Sequence, residues 1–196
     1  MKIILPAPIL DGPVSLEQCL HKRRCQRRFS AASLTLQEIS QLAWAAQGIT
    51  SARGQRTCPS AGALYPLELL VIAGNVRDLG AGVYRYAPKG HELLMAAQGD
   101  ARPALAEAGL GQSFIQDAAA NLLFTAIYER TTGKYGRRGI RYVHMEAGHA
   151  AQNVCLQAAA LGLGTVMVGA FRDDRVKEVL NLAPDEEPLY ILPVGR

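Results

Sequence analysis

Residues 56–66 read Arg-Thr-Cys-Pro-Ser-Ala-Gly-Ala-Leu-Tyr-Pro. Small side chains, a glycine and two prolines stand there between a basic stretch and the apolar run 67–73. A backbone clothed so thinly lets a flat or phosphorylated group lie directly against it. Two other segments give that surface chemical meaning. The run Arg23-Arg24-Cys25-Gln26-Arg27-Arg28-Phe29-Ser30 concentrates guanidinium groups, which pair bidentately with phosphate. Residues 161–171 hold Gly162, Gly164 and the stretch Met167-Val168-Gly169-Ala170, where a backbone amide meets a ligand without a bulky side chain between them. An anion anchor, a platform for a planar ring and exposed amides are together what a flavin mononucleotide needs.

Each segment also has a plainer reading. Arg23, Arg24 and Arg27 fall at the end of a short helical pattern, and Arg23 and Arg27 share a side if the helix continues. Cations there could hold a phosphate and sit against a flavin pyrimidine edge, or only complement the helix dipole. The glycines of 161–171 serve equally as caps of a helix–strand connection. Lys134-Tyr135 lies between Gly133 and Gly136 in a basic stretch. A desolvated lysine works as a base and a tyrosine as a proton donor; a solvated surface loop is the alternative. His144 and His149 are five apart, a poor spacing for one helix face, so no metal site is expected. The four cysteines are scattered, with no CxxC, which suits a reducing cytoplasm.

The elements that must position these residues follow from composition and periodicity. A chain of 196 residues, 49% hydrophobic and 19% charged, sustains a single domain with a full core. Residues 1–13 read as an N-terminal extension, too short and broken for a signal peptide. No apolar run is long enough for a membrane span. The net charge of +4 comes without interleaved aromatics or a nucleic-acid-binding motif. Ser15 with Gln18 opens a helix to about Arg24, and Thr35 with Glu38 opens a second, stopped by Gly48. Strands are expected at 67–73, 83–86, 92–96, the second half of 118–128, 165–168 and 189–194. Helices are expected at 101–109, 141–161 and from Asp173 or Asp174 to Leu180, with a glycine-rich loop at 131–139. Elements mixed without strict alternation point to an α+β fold, and no dinucleotide fingerprint or P-loop is present.

The combination resembles a known family. Residues 23–30 are similar to the Arg-(Arg/His)-Ser-x-(Arg/Lys)-x-(Phe/Tyr) opening of the FMN-dependent nitroreductase superfamily. Pro59-Ser60-Ala61-Gly62-Ala63-Leu64-Tyr65-Pro66 resembles the signature of its SagB/ThcOx-type dehydrogenase branch. Gly82–Tyr86, Leu110–Gln112, Tyr128–Arg130, Arg141–His149, Gln152-Asn153, Gly162–Gly164 and Leu192–Arg196 look like the same branch. The likeness covers the chain from Val14 onward.

It implies a central, mainly antiparallel sheet flanked by helices, in a homodimer with FMN at the subunit interface. By position, Arg23, Cys25 and Arg196 would meet the phosphate and ribityl end, and Arg24 and Arg27 the ribityl chain and pyrimidine edge. Pro59, Ser60 and Ala61 would come from the partner subunit against the isoalloxazine. Gln112 would reach the pyrimidine side, and Met167, Val168, Gly169 and Ala170 would run along the ring, with the Gly169 amide near N5. Lys134 and Tyr135 match a catalytic Lys-Tyr pair of azoline-oxidising members. Cys25 stands where serine is usual and weakens one donor. The implied reaction is hydride transfer from a small-molecule or modified-peptide azoline to FMN. Lys134, with Tyr135, would remove the accompanying proton. NAD(P)H-dependent reduction of nitro compounds or quinones is the rival, and a flavin-binding protein without turnover is a third reading.

Overall fold

The computed structural model describes residues 1–196. Seven strands form one sheet: β1 (Lys2–Ile4), β2 (Leu67–Ala73), β3 (Gly82–Ala87), β4 (Glu92–Gln98), β5 (Ala120–Ile127), β6 (Gly164–Thr165) and β7 (Glu186–Gly195). Their order is β1-β4-β3-β2-β5-β7-β6, and every neighbouring pair is antiparallel. The helices are α1 (Leu16–Lys22), α2 (Leu36–Gln47), α3 (Arg102–Ala108), α4 (Ser113–Asp117), α5 (Glu129–Tyr135), α6 (Arg138–Ala160) and α7 (Asp173–Leu180).

The helices make two layers, one on each face of the sheet. On one face α2 (Ile39, Leu42, Ala43, Ala46) and α6 (Val143, Ala147, Ala150, Val154, Ala158) cover Leu69, Val71, Leu122 and Phe124. On the other, α3, α4 and α7 (Leu105, Ile115, Val176, Leu180) cover Leu70, Ile72, Leu123 and Ile191. Alternate residues of β2 therefore enter different cores, which is why 67–73 reads as an unbroken apolar run rather than an alternating one. Alanines along α6 let it approach both α2 and the sheet.

Start signals in the sequence hold. The Ser15 hydroxyl accepts from the Gln18 amide at 3.3 Å, and Thr35 with Glu38 closes a full capping box on α2. Four expectations do not hold. α1 stops at Lys22, so Arg23 and Arg27 share no helical side. The chain there turns extended because Cys25 pairs in parallel with Thr165, with the Gln26 amide donating to the Thr165 carbonyl at 3.0 Å. The expected loop 131–139 is mostly helix: α5 runs to Tyr135, Gly136 turns at φ 57°, and α6 begins at Arg138. Gly139 is the contact point, since a Cβ there would lie 3.0 Å from the Thr132 backbone. The strand at 165–168 is only Gly164–Thr165 plus one bridge from Val168 to Ile191. The short helix α4 was not expected. Residues 1–13 are stitched into the domain. β1 pairs with β4, and the Gln41 amide side chain exchanges hydrogen bonds with the Ile9 backbone at 2.8 and 3.0 Å.

Candidate functional site

The residues singled out in sequence gather in two places. The first lies where β7 ends beside β6. The segment 23–30 crosses this end, fixed by the Cys25–Thr165 bridge and by the Ser30 amide donating to the Arg196 carbonyl at 2.6 Å. Gly195 is needed because Phe29 lies where a Cβ would point, 2.9 Å away, and Gly164 yields the same space to Gln26. The Arg23 side chain forms no hydrogen bond or ion pair within the chain. It lines a cleft of about 150 Å³ with Arg24, Gln26, Cys155 and Thr165. The Thr165 Oγ1 atom is buried there without a partner. The Arg24 guanidinium donates to the His21 and Arg23 carbonyls, each at 2.8 Å, and so closes the end of α1. Arg27 stands 5.8 Å over the Phe114 ring. The Gln112 amide donates to the Gly109 carbonyl at 2.7 Å and the Ala170 carbonyl at 2.9 Å, tying 167–170 to the α3–α4 turn. Met167 is half-buried and Val168 buried. The Gly169 amide is exposed with no partner in the chain. Arg196 is held in an ion pair with Glu38 on α2.

The second place is at the opposite end of the sheet, where β2 begins and β5 ends (Leu67 pairs with Ala126). Pro59, Ser60 and Ala61 lead into a 3₁₀ turn whose Gly62 has φ 64°. Lys134 and Tyr135 converge on that glycine: a Cβ on it would lie 3.1 Å from Lys134 Nζ and 2.8 Å from the Tyr135 hydroxyl. The pair expected to act together is therefore assembled against the thinnest part of the 59–66 loop. A salt-bridge network fixes it. Arg130 at the start of α5 bonds Glu68 at 2.6 Å and the Tyr65 carbonyl at 3.1 Å. Glu68 is shared with Arg85, which grips Glu186 through two bonds of 2.9 Å. Thr125 also donates to Glu186. Burial raises the Glu186 carboxyl, but Arg85 and Thr125 together hold it below the ordinary range.

Beside the pair, a cleft of about 280 Å³ is lined by Pro59, Ser60, Ala61, Tyr142, Met145, Glu146 and His149. The Tyr142 ring meets Tyr135 edge-on at 5.2 Å. Sequence reasoning gave none of the four α6 residues a role. Their spacing (i, i+3, i+4, i+7) marks one helix face, and a polar, half-apolar stripe on an otherwise alanine-rich helix was the available signal.

Both places flank α6. His149 borders the second cleft and Cys155 the first, so their facing edges lie six residues of helix, ~9 Å, apart. No hydrogen bond or ion pair joins the two groups. The first place fits flavin mononucleotide by its own features: an unpaired guanidinium, an orphaned buried hydroxyl and the free backbone amide of Gly169 in an exposed small-residue segment. No cluster of metal-ligating side chains exists. No helix is long and apolar enough to cross a membrane.

The sequence profile of the Nitroreductase family matches residues 20–196. A Methanocaldococcus jannaschii protein provisionally named a nitroreductase is 49% identical over 183 residues, 93% of this chain and 91% of that one. The crystal structure of a provisionally named nitroreductase from Ralstonia eutropha superposes with a TM-score of 0.88 at 31% identity, covering 100% of this chain and 89% of that one. The microcin B17-processing protein McbC of Escherichia coli is 31% identical over 65% of this chain, though the match spans only 49% of McbC. The structure of the E. coli microcin synthetase McbBCD complex aligns with a TM-score of 0.75 at 25% identity, over 98% of this chain and 77% of that one. A profile match over residues 20–196, a relative sharing nearly half its residues and a structural superposition at a TM-score of 0.88 place the chain in the nitroreductase family of oxidoreductases.

Proposed function

We propose that the chain is an FMN-dependent oxidoreductase working as a homodimer in the cytoplasm, with each flavin held by one copy and covered by the other. The observation that carries this reading is the set of unsatisfied groups at the first place: the unpaired Arg23 side chain, the buried Thr165 hydroxyl and the free Gly169 amide. The two surfaces lie toward opposite ends of the sheet, and in the homodimer each flavin takes one from each copy. Arg23, Arg24, Cys25, Arg27 and Arg196 form the basic end for the phosphate and ribityl chain. Gln112 and Met167–Ala170 form the edge along the ring, where the Gly169 amide is the free donor. Pro59, Ser60 and Ala61 form the cover. When bound, FMN supplies hydride transfer at N5.

The chain's own part is to bind, orient and manage the proton. Lys134 and Tyr135, converging on Gly62, act on the substrate bond that ionises as the hydride leaves. The substrate class in this reading is an azoline, on a small molecule or a modified peptide. It draws on the likeness to McbC and on the Lys-Tyr pair. A second reading, NAD(P)H-dependent reduction of nitro compounds or quinones, is favoured by the M. jannaschii relative. It uses the same cleft without Lys134. The Lys134→Ala variant separates them. Loss of azoline oxidation at normal flavin content is expected from the first. Nitro reduction untouched by the substitution, with no azoline oxidation in the parent protein, refutes it. A colourless protein that takes up no FMN refutes both.

A further inference from the structure

We propose that Glu146 is the proton acceptor of the second cleft, receiving through the Ser60 hydroxyl the proton that leaves the substrate during hydride transfer. The inference rests on the flavin chemistry proposed above and assigns its proton step.

Glu146 lies on α6 beneath the 58–61 loop and is 3% exposed, yet it borders the cleft with Ser60, Tyr142 and His149. Its Oε1 atom is buried and has no hydrogen-bond partner. A buried polar atom left unpaired is costly and rare in a folded protein, and a carboxylate is the costliest kind. No cation forms a salt bridge with it. The groups that face it are few. Arg56, from the stretch ahead of the loop, is already committed to Gln47 at 2.7 Å and to the Tyr65 ring at 4.2 Å. Cys58 donates weakly to the Glu146 backbone carbonyl, at 3.5 Å, and burial pushes its thiol up to about 12, so it carries no charge. From the loop comes the Ser60 hydroxyl, and from α6 itself Tyr142 and His149. Burial drives the Glu146 carboxyl up to about 7, with the Ser60 hydroxyl and the Arg56 charge pulling the other way.

Ser60 is the half-exposed member of this arrangement. Its oxygen accepts from the Tyr65 amide at 2.9 Å, which leaves its own proton free to point at the carboxylate. A hydroxyl held this way passes one proton while accepting another. In the proposed step one substrate C–H bond breaks heterolytically. Its proton goes to the Ser60 oxygen as the Ser60 proton passes to Glu146. The hydrogen of the neighbouring C–H leaves with its electron pair to the oxidised flavin, and a carbon–carbon double bond forms between the two centres. The substrate loses two electrons and two hydrogens; the flavin gains the hydride and Glu146 the proton. Glu146 thus takes the proton that the sequence expectation gave to Lys134 with Tyr135, and that pair, converging on Gly62, orients the carbon that ionises. A base whose ionisation lies near the working pH is the efficient choice for such a transfer, and a buried carboxyl is a common way to make one.

The test uses the flavin-loaded protein, its Glu146→Gln and Ser60→Ala variants, and a thiazoline-4-carboxamide as hydride donor. Infrared difference spectra on protein carrying labelled glutamate are expected to show one carboxyl band titrating near pH 7, absent in Glu146→Gln and kept in Ser60→Ala. The rate of flavin reduction is expected to fall below that pH in the parent. In Glu146→Gln it should be roughly 100-fold lower and flat with pH, at unchanged flavin content. The proposal is overturned if no band titrates near 7, or if the acid limb survives in Glu146→Gln. A flavin-loaded protein that never turns over the thiazoline overturns the azoline reading and this step with it, a result distinct from turnover with an unaltered limb.

Discussion

Replacing Glu146 by glutamine should make the protein more stable, and only above mildly acidic pH. Burial lifts the carboxyl from its ordinary 4.5 to about 7. Between those values the unfolded chain has lost its proton while the folded chain keeps it, so the folded state binds more protons and stability falls as pH rises. At ~1.36 kcal/mol per pH unit, and allowing for partial screening, the charged form costs the folded protein about 2–3 kcal/mol above pH 7. Glutamine has the same shape and never carries that charge. For a chain of this size the difference corresponds to roughly 4–10 °C in Tm. The assay is denaturant unfolding of both proteins at fixed concentration across pH 4.5–8.5, followed by circular dichroism. The two should agree within ~1 kcal/mol at the acid end, separate through pH 5–7, and run parallel beyond. A gap that does not change with pH, or a glutamine variant less stable at pH 8, would show that the carboxyl is not buried and unpaired as described.

Glu186 should behave with the opposite sign. Its carboxyl is held below the ordinary range, so the stability it contributes is present above the unfolded value and lost as pH falls through the folded one. Glu186→Gln should cost roughly 2–4 kcal/mol at pH 7 and progressively less in acid, read by the same unfolding experiment. Gly62→Ala meets both a strained φ and the Lys134 and Tyr135 side-chain ends. It should lower flavin reduction by the azoline about 10-fold or more while leaving flavin content intact, measured by anaerobic stopped-flow absorbance. Arg23→Gln removes the unpaired guanidinium and should weaken FMN binding by ~10–100-fold, read by titrating apoprotein and following flavin fluorescence.

Local chemistry made much of the architecture legible. The boxes at Ser15 and Thr35 announce α1 and α2 because a helix start needs donors satisfied by nearby side chains. The apolar run 67–73 announces a strand covered on both faces. Errors came where tertiary contacts outweigh propensity. The glycines at 133, 136 and 139 look like a loop, but Gly139 is a packing site for Thr132, and only the close approach of α5 to α6 explains it. The helix opened at Ser15 is expected to reach about Arg24, and nothing local says that Cys25 pairs with Thr165, 140 positions away. Glu146 was invisible as a functional residue for a similar reason. Amphipathic helices carry many glutamates, and only burial beneath the 58–61 loop separates this one from a solvated neighbour.

The two half-sites proposed above both border α6. A long alanine-rich helix lies against the sheet and fixes their separation rigidly. Its C-terminal end leads into β6, and its Tyr142–His149 stretch lies under the loop that precedes β2. Because both attachments run through the main core, neither surface can swing toward the other without breaking it. In the homodimer proposed above, a ligand that needs both surfaces takes one from each copy. The apolar groove between α1, α2 and α6, with Leu10 and Leu16 exposed at its rim, offers that copy a face to bury. Disrupting that face with a charge at Leu16 should then lower flavin affinity and association state together, a linkage that a site completed within one chain would not produce.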